Sequence, residues 1–368
     1  MKVVFRVDAS FAIGIGHIIR CQTLANALKK KGVEIHFIIR EHPGHLAQKL
    51  IQEGFKVTLL PPPVNESQIN FSPWLGASQQ IDAEQTMAVI KDQKYDWLIV
   101  DHYGLDIFWE TQFRPYFSKI MIIDDLANRF HDCDILLDQN FVKTHHKLYK
   151  KLVPKKCQLL LGPLYTILRP EYLNYQTLKR SHKNITRRVF ISMGGTDNSN
   201  LTCKIIDALN NPLLAHLQVD IVIGFNFIHK NDLIIHANLR PHTNIHINPP
   251  QLADLMAKAD LAIGAGGSTT WERIFMGLPS IVLSLADNQV AISEALEACG
   301  LIQYLGNAYS IDITEIEKAI LKQIAAPSNM VKFLNKCRNL VDGKGVSRIS
   351  QFINPTSFND LSSRLDAG

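Results

Sequence analysis

Residues 2–31 read KVVFRVDASFAIGIGHIIRCQTLANALKKK, and this stretch predicts the first structural unit of the chain. Its first part, Lys2–Asp8, is an apolar run rich in β-branched residues, which predicts a buried strand. After a turn with two glycines, apolar residues recur at helical spacing and predict a helix over Ile18–Lys31 that Gly32 ends. A strand, a glycine-rich turn and a helix in this order form the first part of a βαβ unit.

The same alternation of short apolar runs and helical segments continues along the chain. Several runs are apolar throughout, as in the strands of a parallel sheet that helices cover on both faces. The alternation predicts an α/β fold with doubly wound sheets. The predicted strands are Lys2–Asp8, Glu34–Arg40, Lys56–Leu60, Trp97–Asp101, Lys119–Asp124, Ile135–Asp138, Gln158–Leu161, Val189–Met193, Val219–Gly224, Ile245–Asn248, Leu261–Gly264, Ser280–Leu285 and Ile302–Leu305.

The length of 368 residues predicts two domains at about 150 residues per domain. A strand, a glycine-rich turn and a helix occur again from Val189, after a stretch that contains prolines and a basic run. We therefore expect a first Rossmann-like domain at 1–165, a linker at 166–187, a second Rossmann-like domain at 188–354 and a polar tail at 355–368. Two such domains facing each other would place a central cleft outside the carboxyl ends of both sheets.

The composition, with 46% hydrophobic and 20% charged residues, is that of a globular protein with a sizeable core. The net charge of +5 is small for this length, so we expect no nucleic-acid partner. No apolar run approaches the ~20 residues of a membrane span, and the first residues lack a secretory signal. We therefore expect a cytoplasmic protein without a membrane partner. The cysteines and histidines show no metal-ligand spacing, so we expect no metal site.

The first candidate site is the turn that contains Gly14, Gly16 and His17. Glycines allow a ligand to approach the backbone closely, and the N-terminus of the following helix offers free N–H groups to an anion. The helix dipole disfavours a proton on His17, which favours the neutral imidazole that a general base needs. The alternative is a surface or capping histidine without a catalytic role.

Two further glycine-rich turns lie in the second half of the chain. The sequence MGGTD at 193–197 contains Gly194 and Gly195, and it predicts either a phosphate-binding turn or a plain tight turn before a helix. The sequence GAGGSTTWE at 264–272 contains Gly267, Ser268 and Glu272. Glu272 could accept hydrogen bonds from ribose hydroxyls, or it could form a capping box with Thr269.

Polar residues also follow several predicted strands, where the carboxyl ends of parallel strands line a ligand site. The relevant stretches are DHYG at 101–104, Asp124–Asp125 and DNQ at 287–289. Each could also be a simple turn or helix cap, and for Asp124–Asp125 we favour that interpretation.

Four motifs occur along the chain in a fixed order: FRVDAS at 5–10, IGIGHIIR at 13–20, DHYG at 101–104 and MGGTD at 193–197. With this combination the chain resembles the UDP-sugar hydrolase family of pseudaminic acid biosynthesis. That family acts on UDP-2,4-diacetamido-2,4,6-trideoxy-β-L-altropyranose. It is similar to the GT-B glycosyltransferases but uses water as the acceptor, so the resemblance implies a GT-B-like fold.

The resemblance also implies roles for the residues at matching positions. His17 would be the catalytic residue, Leu252 would hold uracil through its backbone, and Glu272 would bind the ribose. The implied substrate contacts are Asp8, Gly14, Gly16, Tyr103, Asn288 and Gln289. The implied nucleotide contacts are Gly194, Gly195, Leu252, Gly267, Ser268 and Glu272.

The implied reaction is hydrolysis at the anomeric carbon with inversion, in which His17 deprotonates water. The resemblance implies no metal, no other cofactor and a UDP-sugar as the small-molecule partner. We also expect a monomer. Two alternatives remain open. A GT-B glycosyltransferase would release UDP only when an acceptor is present, and a non-catalytic nucleotide-sugar binding protein would leave the UDP-sugar intact.

Overall fold

The chain divides into two compact α/β units in a computed structural model. The first unit consists of Met1–Ile167 and the chain from Lys344, and the second unit is Leu168–Gly343. Each unit contains one parallel sheet, as the sequence predicted. The structure describes residues 1–63, 72, 74–142, 144–177, 186–195, 197, 199–224, 227–325 and 330–355.

The first unit has a seven-stranded parallel sheet with the strand order β3-β2-β1-β4-β5-β6-β7. Its elements are β1 (Lys2–Val7), α1 (Gly16–Lys29), β2 (Glu34–Arg40), α2 (Ala47–Gln52), β3 (Lys56–Leu60), α3 (Gln79–Ile90), β4 (Tyr95–Asp101), α4 (Ile107–Phe113), β5 (Phe117–Ile123), β6 (Ile135–Asp138), α5 (His145–Leu152) and β7 (Gln158–Leu161).

Both faces of this sheet are buried, because successive side chains of a strand point to opposite faces. In β1, Val3 and Phe5 pack in one hydrophobic cluster together with Leu24 of α1. Val4 lies between them in the chain and packs in a second cluster with Trp109 of α4. Helices on both faces explain why these strands are apolar throughout rather than alternating.

The second unit has a six-stranded parallel sheet with the strand order β10-β9-β8-β11-β12-β13. Its elements are α6 (Pro170–Leu173), β8 (Arg188–Ser192), α7 (Leu201–Ala208), β9 (Gln218–Ile223), α8 (Lys230–Asn238), β10 (Thr243–Ile247), α9 (Leu252–Lys258), β11 (Leu261–Ala265), α10 (Thr269–Phe275), β12 (Ser280–Ser284), α11 (Val290–Ala298), β13 (Gln303–Asn307), α12 (Ile313–Ala325) and α13 (Met330–Leu340).

The last described helix, α14 (Gly345–Ile353), belongs to the first unit. Its residues Ile349 and Ile353 are buried in the same hydrophobic cluster as Ile18 of α1. This differs from the expectation that the second domain extends to residue 354. The physical reason is that the apolar face of α14 completes the core beside α1, a long-range contact that no local pattern indicates.

The predicted strands are all present, with ends that differ by at most two residues from the sequence-based bounds. The first helix begins at Gly16 rather than at Ile18, which places His17 inside its first turn. Within the expected linker 166–187, α6 belongs to the second unit, and residues 178–185 lie outside the described part of the chain. The expected tail also lies outside it from residue 356 onward. Among the described residues, no helix has the length and apolar character needed to cross a membrane.

The strand orders define one switch point in each sheet. In the first unit, β2 and β3 lie on one side of β1, whereas β4 to β7 lie on the other, so the switch point is between β1 and β4. In the second unit the same argument places it between β8 and β11. Ligands of doubly wound proteins bind outside the carboxyl ends of the strands at this point. The turns that follow β1, β4, β8 and β11 are therefore the candidate ligand-binding positions.

Candidate functional site

Ser10 and Gly14 shape the turn between β1 and α1. Ser10 Oγ accepts a hydrogen bond from Ile13 N at 2.9 Å, and Ser10 O accepts one from Gly14 N at 2.8 Å. Gly14 has a φ of +80°, a conformation that residues with a Cβ rarely adopt. The turn continues into Gly16, the first residue of α1, so His17 lies in the first helical turn beyond the end of β1.

His17 is paired with Asp101, the last residue of β4. Its Nδ1 lies 2.6 Å from Asp101 Oδ1. Burial alone would raise the pKa of Asp101, but the charge of Arg20, aided by His17, outweighs burial and holds this pKa well below its usual range. Nδ1 also lies 3.1 Å from Arg20 Nη2, which can only donate. The shorter contact with the ionised Asp101, which can only accept, assigns the proton to Nδ1, and a neutral His17 then has its lone pair on Nε2. No hydrogen bond joins Nε2 to the residues that the structure describes.

Arg20 holds the same carboxylate from the next turn of α1. Its Nε donates to Asp101 Oδ2 and its Nη2 donates to Asp101 Oδ1, both at 2.6 Å. Such a bidentate contact fixes the plane of the carboxylate. Arg20 Nη1 also lies 3.3 Å from Asp125 Oδ2. His17 therefore faces a carboxylate that is charged and rigidly oriented, which is what a histidine general base requires.

Tyr103 packs edge-on against His17, with 4.7 Å between the ring centroids. Its hydroxyl donates to Asp125 Oδ1 at 2.6 Å. Burial and the charge of Asp125 raise the pKa of Tyr103 well above its usual value, so the hydroxyl stays protonated. Tyr103 thus limits the movement of the His17 ring without adding a charge.

The expected substrate contact Asp8 lies in a buried ion-pair network, apart from the contacts around His17. Asp8 is 1% exposed. Oδ1 accepts from Arg6 Nη1 at 2.6 Å and from Arg40 N at 2.7 Å, and Oδ2 lies 3.1 Å from His102 Nε2. These contacts link the end of β1 to the ends of β2 and β4, so Asp8 stabilises the positions of the three strand ends.

Arg20, Asp101 and Asp125 were not predicted as site residues. Asp101 and Asp125 follow apolar strands, but the same pattern is common in turns and could not single them out. The available signal for Arg20 was its spacing of three residues from His17, which places both on one face of a helix. The structure shows that β1 and β4 are neighbours, with Val7 and Asp101 as register partners. This pairing brings Asp101 close to the turn that carries His17, and it could not be inferred from the sequence.

In the second unit, two glycine-rich turns follow the strands that flank the switch point. Gly194 and Gly195 follow β8, and Gly266 and Gly267 follow β11, the direct neighbour of β8. Gly194 has a φ of +90°, and a Cβ at Gly194 or Gly195 would meet no described atom within 4 Å. The turn after β8 therefore leaves open space above its backbone, as a backbone site for an anion requires.

Glu272 lies in the first turn of α10 and contacts Arg169, which precedes α6. Arg169 Nε donates to Glu272 Oε1 at 3.2 Å, and Arg169 Nη2 donates to the Tyr172 hydroxyl at 2.8 Å. Burial raises the pKa of Glu272 although Arg169 opposes this. Glu272 Oε2 is buried and has no hydrogen-bond partner among the described residues. This oxygen is an acceptor available to a ligand hydroxyl, and no Thr269–Glu272 capping box forms.

Leu252 is the first residue of α9, and its backbone N–H already has a protein partner. It donates to Glu171 Oε1 at 3.2 Å, and Arg169 Nη1 lies 3.4 Å from the same oxygen. A base held by this N–H would have to take the place of the Glu171 carboxylate. Arg169 and Glu171 were not predicted from the sequence, because they lie in the stretch that was interpreted as a linker.

Asn288 and Gln289 lie in a short 3-10 turn after β12. Gln289 Oε1 accepts from Leu285 N at 2.9 Å. A Cβ on Gly266 would be 3.1 Å from the Cβ of Gln289, so this residue packs directly against the turn after β11. Ser268 is the N-cap of α10 at the end of that turn and makes no side-chain capping hydrogen bond. The structure therefore brings Gln289 together with Gly266 and Gly267.

The fold matches solved structures over nearly the whole chain. The crystal structure of Acinetobacter baumannii MurG has a TM-score of 0.64 and 15% sequence identity, over 97% of this chain and 100% of that chain. The two parallel-sheet units thus have the GT-B glycosyltransferase fold. At 15% identity this likeness defines the class of the protein by its fold alone, which is the GT-B fold.

Sequence relatives narrow this class. The UDP-2,4-diacetamido-2,4,6-trideoxy-beta-L-altropyranose hydrolase of Campylobacter jejuni is 30% identical over 278 residues, which is 75% of this chain and 89% of that protein. The uncharacterized protein MJ1062 of Methanocaldococcus jannaschii is 27% identical over 291 residues, which is 77% of this chain but only 55% of that protein. No family model matches the sequence. The chain belongs to the UDP-2,4-diacetamido-2,4,6-trideoxy-beta-L-altropyranose hydrolase family, as the motifs predicted.

Proposed function

We propose that this protein hydrolyses UDP-2,4-diacetamido-2,4,6-trideoxy-β-L-altropyranose to UDP and the free sugar, with inversion at the anomeric carbon. The observation that carries the proposal is the His17–Asp101 pair, which leaves His17 Nε2 without a protein partner among the described residues. The name of the Campylobacter jejuni relative supplies the substrate. A histidine that can accept a proton from water and the membership in this family both support hydrolysis of the UDP-sugar.

In the proposed reaction, His17 Nε2 takes a proton from a water molecule as that water attacks the anomeric carbon. The bond from this carbon to the diphosphate oxygen breaks, and UDP leaves with the electron pair. The imidazolium that forms is stabilised by Asp101, which is held ionised by Arg20. UDP is a good leaving group, so no strong general acid is needed. Tyr103, Gly14 and Gly16 would border the sugar, and Asp8 would support this turn.

The second unit would hold UDP. Backbone N–H groups of the turns at Gly194–Gly195 and Gly267–Ser268 would stabilise the diphosphate charge that grows during bond breaking. Glu272 Oε2, which lacks a protein partner among the described residues, would accept hydrogen bonds from the ribose. Uracil would bind at the backbone of Leu252 after displacing Glu171, and the remaining contacts would come from Asn288 and Gln289. These roles are supported by the space that the described atoms leave at Gly194 and Gly195 and by the unpartnered Oε2 of Glu272.

The decisive experiment is incubation of the protein with the UDP-trideoxy sugar in the absence of any acceptor. We expect stoichiometric UDP and free sugar, with NMR showing the inverted anomer as the first product. His17→Asn is the matched control, and it should bind UDP normally but lose most turnover. UDP release only with an added acceptor would favour a glycosyltransferase, and binding of an intact UDP-sugar would favour a binding protein; either result contradicts the proposal.

A further inference from the structure

Arg273 is a deeply buried cation in α10 of the second unit, with a relative exposure of 1%. Its Nη2 donates to Ala265 O at 2.7 Å and to Thr270 Oγ1 at 2.9 Å. Nε and Nη1 have no hydrogen-bond partner in the described part of the chain. Burial lowers the pKa of Arg273 to about 10, so the side chain remains charged at neutral pH. A buried charge with unpartnered donors is unfavourable unless something else offsets it.

The guanidinium lies against the ends of the two strands that flank the switch point. A Cβ at Gly264 would be 2.1 Å from Arg273 Nη1 and 3.0 Å from Ser192 O. Glycine at this position in β11 therefore makes the space that the guanidinium occupies, beside the last residue of β8. Ala265, which Arg273 holds through its carbonyl, is the residue directly before the turn Gly266–Gly267. The guanidinium therefore lies against Gly264 and Ala265, the two residues directly before the candidate anion-binding turn.

No carboxylate within the described chain hydrogen-bonds to Arg273. The neighbouring Glu272 raises the pKa of Arg273 through charge alone, while the hydrogen bonds that act on the pKa of Glu272 come from Tyr172 and Arg169. Tyr172 acts on the Arg273 pKa in the same direction. The negative charge of an anion bound at the turn would offset the buried positive charge of Arg273, with only the backbone of the turn between the two. The low local dielectric makes such a charge interaction strong.

We propose that Arg273 is a positioning residue that makes the turn after β11 selective for the diphosphate of the nucleotide. The inference rests on the proposed function, since it assumes that this turn holds UDP. Arg273 does not touch the ligand. It anchors the carbonyl of Ala265 directly before the turn, in which Gly266 N already donates to Leu283 O at 3.0 Å. The diphosphate would therefore meet the N–H groups of Gly267 and Ser268, and the charge of Arg273 acts on it through the backbone.

The test compares UDP with uridine, which lacks the phosphates, by calorimetry on the full chain. Arg273→Met should weaken UDP binding at least about tenfold, or ~1.4 kcal/mol, and change uridine binding by less than about twofold. Arg273→Lys keeps a charge and should retain most of the UDP preference. If Arg273→Met does not fold, as judged by circular dichroism, Arg273→Gln takes its place as the neutral variant.

Arg240→Met is the matched control. Arg240 is also buried in the second unit, but its donors reach the carbonyls of Leu209, Leu214 and Pro241, beside the amino end of β10. This control should leave the ratio of UDP to uridine affinity unchanged. Equal loss of UDP and uridine binding in the neutral Arg273 variant, or no loss of either, would overturn the inference. A wild-type protein that binds neither compound would overturn the proposed function together with it.

Discussion

At the scale of single residues, the candidate base depends on a carboxylate that burial alone would neutralise. Asp101 stays ionised because Arg20 contacts both of its oxygens at 2.6 Å, and an ionised Asp101 in turn fixes the tautomer of His17. Without the contacts from Arg20 to Asp101 and from Asp101 to His17, His17 would be a poor base, because an unpaired imidazole at a helix start can adopt either tautomer. The proposed base therefore depends on three side chains, and although all three lie in the quoted motifs, only His17 was given a role from the sequence.

Asp101→Asn should lower turnover by at least about a hundredfold while UDP affinity stays within about twofold. The amide can offer its NH2 group to His17 Nδ1, which would favour the tautomer with the proton on Nε2 and remove the base. Steady-state kinetics and calorimetry with UDP check the two parts. Because Arg20 loses one of its two ion-pair partners and keeps only Asp125, the melting temperature of the variant must be measured as a control. Turnover close to that of the wild type would show that Asp101 does not orient the base.

Glu272→Gln should weaken UDP binding by about tenfold and leave binding of inorganic diphosphate unchanged. The reason is that Oε2 is an acceptor without a protein partner among the described residues, and an amide at this position can donate as well as accept. Calorimetry with UDP and with diphosphate separates a ribose contact from a general effect on the turn. An equal loss for both ligands would indicate that Glu272 acts only through α10 and Arg169.

At the scale of secondary-structure elements, the last described helix shows how a distant segment completes a core. Ile349 and Ile353 of α14 are buried against α1, although more than three hundred residues separate the two helices along the chain. Gly345 lets the start of α14 lie against the backbone of Thr166, because a Cβ at Gly345 would be 2.2 Å from the carbonyl oxygen of Thr166. Helix α1 carries His17 at its start, so α14 also helps to hold the helix from which the candidate base projects.

Ile349→Ala should lower the free energy of unfolding by about 2–5 kcal/mol, since it removes a large side chain that is 0% exposed. Phe352→Ala on the same helix is the matched control. Phe352 is 41% exposed, so its loss should change stability by less than about 0.5 kcal/mol. Urea unfolding followed by circular dichroism measures both variants. Equal stability of the two variants would mean that α14 contributes nothing to the core of the first unit.

The sequence predicted the strands well because a buried parallel strand is apolar throughout, and this signal is local. Glycine before a helix is also a local pattern, and it is the reason that His17 and the glycine-rich turns became candidate site positions. Asp101, Arg169 and Arg273 could not be singled out in this way. Their roles depend on strand order, on burial and on a donor left without a partner, which are properties of the folded chain.

At the scale of the whole molecule, the two units differ in how many buried carboxylates have a lowered pKa and so stabilise the fold in their ionised form. This comparison covers the described residues. In the first unit, charged neighbours outweigh burial and lower the pKa values of four buried aspartates, which are Asp8, Asp82, Asp101 and Asp124. In the first unit Asp138 is an exception, because burial raises its pKa. In the second unit the pKa of Asp220 is lowered, whereas burial raises that of Glu272. Acid should therefore affect the units unequally.

The first unit should unfold before the second when the pH falls below about 4. A carboxyl group whose folded pKa is depressed adds stability above its unfolded pKa of about 3.9, and this stability is lost as the pH falls through the folded pKa. A group with a raised pKa, such as Glu272, has the opposite sign, so acid relieves the cost of burying its charge. Calorimetry at pH 7, 4.5 and 3.5 should show the transitions separating, and hydrogen-exchange mass spectrometry should assign the earlier one to Met1–Ile167. Earlier opening of Leu168–Gly343 would mean that the aspartate pairs of the first unit do not control its stability in acid.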